Sequence, residues 1–140
     1  PQEIGFEDIN LSVLEEAKKY YIGPEQYLRS ALFKYLFAGE NIHKKIKYLS
    51  GGEKVRLKIF CLIQNPYNFL ILDEPTNHID IDTREMLEES LKEFTGTILF
   101  VSHDRYFINK IATSIIEIKN KNITRYIGNY DDYREKINKI

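Results

Sequence analysis

Apolar positions in the first third of the chain recur at helical spacing. Val13, Ala17, Tyr20 and Tyr21 share one face at i, i+4, i+7 and i+8. Ser12, with Glu15 three residues on, has the form of a capping box at the start of that face. Gly23-Pro24 ends it, and a second helix is predicted over 25–37. Leu28, Leu32, Tyr35 and Leu36 point inward there, with Gly39 just past the end. Residues from about 10 to 48 therefore read as helical. After Leu49 the pattern changes. Ser50-Gly51-Gly52 opens a helix with Val55, Ile59, Leu62 and Ile63 on one face, closed by Asn65-Pro66. Residues 69–72 form an unbroken apolar run, the pattern of a strand buried on both faces. Leu87, Leu91 and Phe94 mark a further helix ended by Gly96, and residues 97–101 a second buried strand. Asp104 can cap a short helix running through Ile111. Residues 114–119 and 123–127 flank Asn120-Lys121-Asn122 as a hairpin, and the polar tail from Tyr130 reads as helical. The alternation predicts an α/β layer with a mostly parallel sheet, a helical subdomain in front (about 10–48) and a C-terminal β-hairpin.

Composition narrows this picture. The 140 residues suffice for one domain, and 43% of them are hydrophobic, enough for a real core. Twenty Lys and Arg against 21 Asp and Glu give a net charge of −1, so bulk charge gives no support to nucleic-acid binding. Cys61 is the single cysteine, which excludes an internal disulfide or a cysteine zinc site and suits a reducing cytosol. No apolar stretch approaches the roughly 18 residues of a membrane span.

Three constellations could carry chemistry. Leu49-Ser50-Gly51-Gly52-Glu53 places two glycines at a helix start, where bare amides can approach an anion. Alone it is equally an ordinary capped loop. Asp73 and Glu74 end the first apolar strand, at the sheet edge where α/β proteins bind ligands. On an extended chain the two carboxylates face opposite ways, one able to hold Mg²⁺ through water and the other to face an attacking water. Alone they are equally a solvated strand end. His103 follows the second apolar strand and could donate to a phosphate, or could simply begin a helix. His43 reads as surface, and His78 gains interest only from its neighbours. The clusters Lys44-Lys45-Lys47 and Lys54-Arg56-Lys58 read as a solvated face, and Tyr126, Tyr130 and Tyr133 as hairpin packing. The order glycine turn–helix, strand–Asp–Glu, helix, strand–His is far more specific than any of its parts.

Together these residues resemble the C-terminal part of an ABC-type ATPase domain, a P-loop NTPase. Residues 49–53 read LSGGE, like that family's signature motif, and residues 69–74 resemble its Walker B strand with the catalytic glutamate. Asn77-His78-Ile79-Asp80 stands at the D-loop, His103 at the switch histidine and Gln2 at a Q-loop position. Residues 72–80 (LDEPTNHID), 101–107 (VSHDRYF) and 126–133 (YIGNYDDY) are similar to the ABC-F group, soluble tandem ATPases that act on the ribosome. Residues 31–39 (ALFKYLFAG) look more like the second ABC domain than the first.

The resemblance implies a role for each residue. Asp73 would hold Mg²⁺ through water, with Gln2 lining the Mg²⁺ side. Glu74 would be the general base and His103 the γ-phosphate contact. Ser50, Gly51 and Gly52 would reach ATP held by the opposing ABC domain. Asn77 and Asp80 would communicate between sites, and Glu53 would support the signature helix. It also implies a cytoplasmic translation or antibiotic-resistance factor with no transmembrane segment and no sequence-specific DNA binding. One part of the family pattern is missing: no G-x-x-x-x-G-K-[ST] occurs, and no glycine precedes a lysine. The family places that loop ahead of the Q-loop. The chain is thus expected to be a piece of a longer protein, inactive alone, with an exposed sheet edge. Three other readings stand beside this one, among them a chromosome-maintenance ABC head, disfavoured by the helical subdomain ahead of residues 49–53 and by Pro75-Thr76-Asn77 after Glu74. The ATPase subunit of a membrane transporter is disfavoured by Asn77-His78, and a non-catalytic truncated scaffold by the intact Asp73, Glu74 and His103.

Overall fold

The computed structural model describes residues 5–138, so Gln2 lies outside the described residues. The chain forms two compact units, one comprising residues up to Phe69 with His78–Gly96, the other Leu70–Asn77 with residues from Thr97 on.

The first unit is helical. It holds α1 (Val13–Lys18), α2 (Glu25–Lys34), 3-10 turns at Gly39–His43 and Ile46–Tyr48, α3 (Gly51–Gln64) and α4 (Ile81–Glu93). Ser12 and Glu15 form the expected capping box at α1. The helix stops at Lys18, short of Tyr20 and Tyr21. Helix α2 also ends early. Leu36 takes a left-handed φ of 64°, which reverses the chain and turns Leu36 outward while burying Phe37. The expected inward Leu36 is thereby corrected. On α3 the buried set is Leu57, Ile59, Phe60 and Cys61, rotated from the expected stripe. The reason is that α3 has neighbours on more than one side, since it packs against both α1 and α4. Phe60 meets Tyr35 edge-to-face at 5.1 Å, and the Tyr35 hydroxyl is hydrogen-bonded to Ser90 of α4 at 3.1 Å.

In the second unit β1 (Phe69–Asp73) pairs in parallel with β2 (Thr97–Val101). Helix α5 (Arg105–Ile111) follows, then the hairpin β3 (Ser114–Lys119) and β4 (Asn122–Ile127), then α6 (Tyr130–Asn138). Fully buried Phe107 packs edge-to-face on Phe100. The strands are not buried on both faces, as the apolar runs led us to expect. Leu70 is buried, but Ile71, Leu99 and Val101 are 71%, 44% and 59% exposed. A two-stranded sheet has one packed face, and alternate side chains must fall on the open one. The hairpin closes tightly: Lys119 pairs with Asn122, leaving Asn120 and Lys121 as a two-residue loop. Their φ values of 51° and 63° are those of a type I′ turn, whose twist matches the strands. Tyr126 and Tyr133 stack edge-to-face at 5.0 Å, and both hydroxyls donate to Glu117, which agrees with hairpin packing. The bond to Glu117, with burial, pushes the Tyr133 phenol up to about 12.

Candidate functional site

In the helical unit the site begins with the cap of α3. The Ser50 hydroxyl accepts from the Glu53 N–H at 3.2 Å, and the Glu53 carboxylate accepts from the Ser50 N–H at 2.7 Å. The Ser50 hydroxyl keeps its own proton to donate elsewhere. Gly51 and Gly52 are the first helical residues, whose amides have no intrahelical acceptor. The helix N-terminus thus presents bare N–H groups beside a hydroxyl donor, at the positive end of a 14-residue helix.

Glu53 holds this start in place. Burial pushes its carboxyl up, but the Ser50 N–H and the Lys44 ammonium at 3.0 Å outweigh that and leave it below the usual range. A depressed folded pKa means stabilisation that is present above about pH 4.5 and lost as pH falls through the folded value. Glu53→Gln should therefore cost about 1 kcal/mol at pH 7. In urea titrations the gap from wild type should close towards pH 3; a gap independent of pH would remove Glu53's charge from the account.

Asp80 caps α4. Its carboxylate accepts from the Thr83 N–H at 2.8 Å and the Thr83 hydroxyl at 3.0 Å, and those bonds hold its pKa down. A Cβ on Gly52 would stand 3.0 Å from Asp80 Oδ2, so the glycine allows this approach. Arg56 was read from sequence as part of a solvated face; instead it is half-buried. Its guanidinium donates to Thr83 Oγ1 at 3.3 Å, lies 4.0 Å from Asp80 Oδ2 and sits over the Phe37 ring. Its spacing four residues before buried Phe60 was the available sign, because i and i+4 share a face.

In the second unit β1 delivers Asp73 and Glu74 to its C-terminal end. Asp73 is exposed. The Glu74 N–H donates to Val101 of β2 at 2.8 Å, extending the pairing by one residue. Glu74 then turns left-handed at φ 46°, a conformation that costs a non-glycine residue on the order of 1 kcal/mol. The turn is held by the Asn77 N–H donating to the Glu74 carbonyl at 3.1 Å. It aims the Glu74 carboxylate at the end of β2. There one oxygen accepts from the His103 N–H at 3.1 Å, and the other lies 3.3 Å from His103 Nε2. The His103 side chain is otherwise 96% exposed. His43 and His78 are exposed as well.

The structure thus brings together Glu74 with His103, and Gly52 with Asp80. Among the described residues no cluster of three or more His, Cys, Asp or Glu could hold a metal alone. Magnesium needs none: one or two carboxylates plus substrate phosphates and water suffice, and Asp73 is a hard oxygen donor of the right kind.

The family model described as ABC transporter matches residues 8–77, half of the chain. The chain belongs to the ABC transporter family. The likeness to its F group is borne out by relatives. ABC transporter F family member 2 of Arabidopsis thaliana is 45% identical over 71% of this chain and 15% of its own length. Energy-dependent translational throttle protein EttA of Haemophilus influenzae is 41% identical over 76% of this chain and 19% of its own. This ABC chain therefore spans less than a fifth of the length of these relatives. Among solved structures, the ATP binding subunit of an ABC transporter superposes with a TM-score of 0.74 at 19% identity, covering 97% of this chain and 60% of that one. That likeness identifies the fold, an ABC ATPase fold. Among the described residues no helix is long and apolar enough to cross a membrane.

Proposed function

We propose that this chain supplies hydrolytic and communicating parts of an ATP-binding cassette in an ABC-F protein, one that acts on the ribosome in the cytoplasm. The carrying observation is the Glu74 carboxylate held at the strand end against His103, 3.1 Å from the His103 N–H. A carboxylate fixed there can accept the proton of a water attacking a γ-phosphate. His103 then serves as the phosphate contact, its exposed ring ready to donate. Asp73 would hold Mg²⁺ through water, and the metal, when bound, neutralises charge on the phosphates. Ser50, Gly51 and Gly52 would bind ATP of the opposing domain through the bare amides and free hydroxyl proton described above. Asn77, hydrogen-bonded to Glu74, and Asp80, against Gly52, would relay between the two sites. The role on the ribosome, in translation or antibiotic resistance, is supported by EttA, which carries the name of a translational throttle.

The glycine–lysine phosphate loop does not occur in these residues. The 140-residue chain alone should therefore show no Mg-ATP turnover. The longer protein that carries it should hydrolyse ATP and co-sediment with ribosomes in an ATP-dependent way. Turnover by the isolated chain that Glu74→Gln removes would overturn the first statement. A longer protein that never meets the ribosome would overturn the second and favour a transporter partner.

A further inference from the structure

Arg56 sits in the second turn of α3, yet its guanidinium is spent on α4. Its Nη1 donates to Thr83 Oγ1 at 3.3 Å, and the Thr83 hydroxyl passes its own proton to Asp80 Oδ2 at 3.0 Å. The Thr83 side chain is fully buried, and the side chain of Arg56 is only 15% exposed. Among the described residues Arg56 Nε has no hydrogen-bond partner, which carries a desolvation cost. The Phe37 ring, 6.0 Å away and 1% exposed, offers its face to the guanidinium and limits where it can move. At the other end of the same line, the Asp80 carboxylate stands where a Cβ on residue 52 would meet it at 3.0 Å, so Gly52 is what leaves it room. The N-terminal turns of α3 and α4 are thus tied through Arg56 and Thr83 and lie close at Gly52 and Asp80.

We propose that Arg56 is a positioning residue: through the Thr83 hydroxyl it fixes the Asp80 carboxylate against Gly52, so that the Ser50–Gly51–Gly52 amides and the loop before α4 move as one body. The inference rests on the functional reading above for its consequence in catalysis, but its structural core does not. A lysine at position 56 has one ammonium in place of the fork and cannot keep both the ring and the hydroxyl.

The test uses the longer protein with Arg56→Gln, Thr83→Val, Thr83→Ser and the Arg56→Gln/Thr83→Val double variant. Amide hydrogen exchange is read at Glu53 and Lys54, whose N–H groups are bonded to Ser50. Arg56→Gln and Thr83→Val should each speed that exchange about 10-fold, and the double variant no more than either, as expected for residues in one chain of contacts. Thr83→Ser keeps the hydroxyl and should match wild type. A merely packing role would reverse the pair, with isosteric valine harmless and serine damaging. In ATP turnover kcat should fall with the exchange effect while KM stays within about twofold. Unchanged exchange, or effects that multiply in the double variant, overturns the proposal. A wild-type protein that lacks ATP turnover overturns the functional reading, and the exchange data still decide this one.

Discussion

Glu74→Gln, in the protein that carries this chain, should stop ATP turnover and leave ATP bound. The substitution is nearly isosteric. The amide oxygen can still accept from the His103 N–H, and the backbone bonds to Val101 and from Asn77 do not involve the side chain. What is lost is the capacity to take a proton from water. General-base removal is typically worth about 10² to 10⁴ in rate. Phosphate release in a single turnover should fall by that factor, while nucleotide retained on a filter should match or exceed wild type. The left-handed φ of 46° sharpens the expectation. Strain of this kind persists where a side chain must be aimed, and glutamine keeps the aim while removing the chemistry. Turnover within threefold of wild type would take the base role from Glu74. His103 would then need to be tested in its place.

How much of this was legible beforehand depends on the range of the interaction concerned. The Ser12–Glu15 capping box is settled within four residues and was legible directly, and the Ser50–Glu53 box follows the same local rule. The hairpin was legible for the same reason, since Asn120 tolerates the left-handed turn and apolar residues flank it. The exchange of Leu36 for Phe37 was not, because a single residue at φ 64° reverses the chain and no periodicity encodes that. The open faces of β1 and β2 show the same limit. An apolar run states that a strand is wanted inside, and Ile71 at 71% exposure shows that sequence cannot say what stands beside it. Motif spacing singled out Glu74 and His103 as candidates, whereas their contact at the strand ends required the fold. Arg56 was missed because composition groups it with Lys54 and Lys58, and only its buried neighbour Phe60 distinguishes it.

Phe60→Ala should be the most damaging change to stability in the helical unit. The side chain is fully buried on α3, and its ring meets Tyr35 at an interplanar angle of 90°. Truncation to alanine removes the transfer energy of the ring and leaves a cavity, together about 3–5 kcal/mol. The lost edge-to-face pair adds about 0.5–1.5 kcal/mol, part of it already within that range. Against a typical domain stability of about 5–15 kcal/mol, this is enough to bring the unit near its unfolding midpoint. The loss would also reach the candidate site, because Phe60 and Arg56 share one face of the helix that Ser50 begins. Phe33→Ala on α2 is the control: that ring is 66% exposed, and its removal should shift stability by no more than about 0.5 kcal/mol. Urea unfolding of the two variants should show a lower midpoint at unchanged slope for Phe60→Ala alone. Equal midpoints would mean that Phe60 is not at the centre of this core, and that the contact between α3 and the Tyr35 ring contributes little to holding the signature helix.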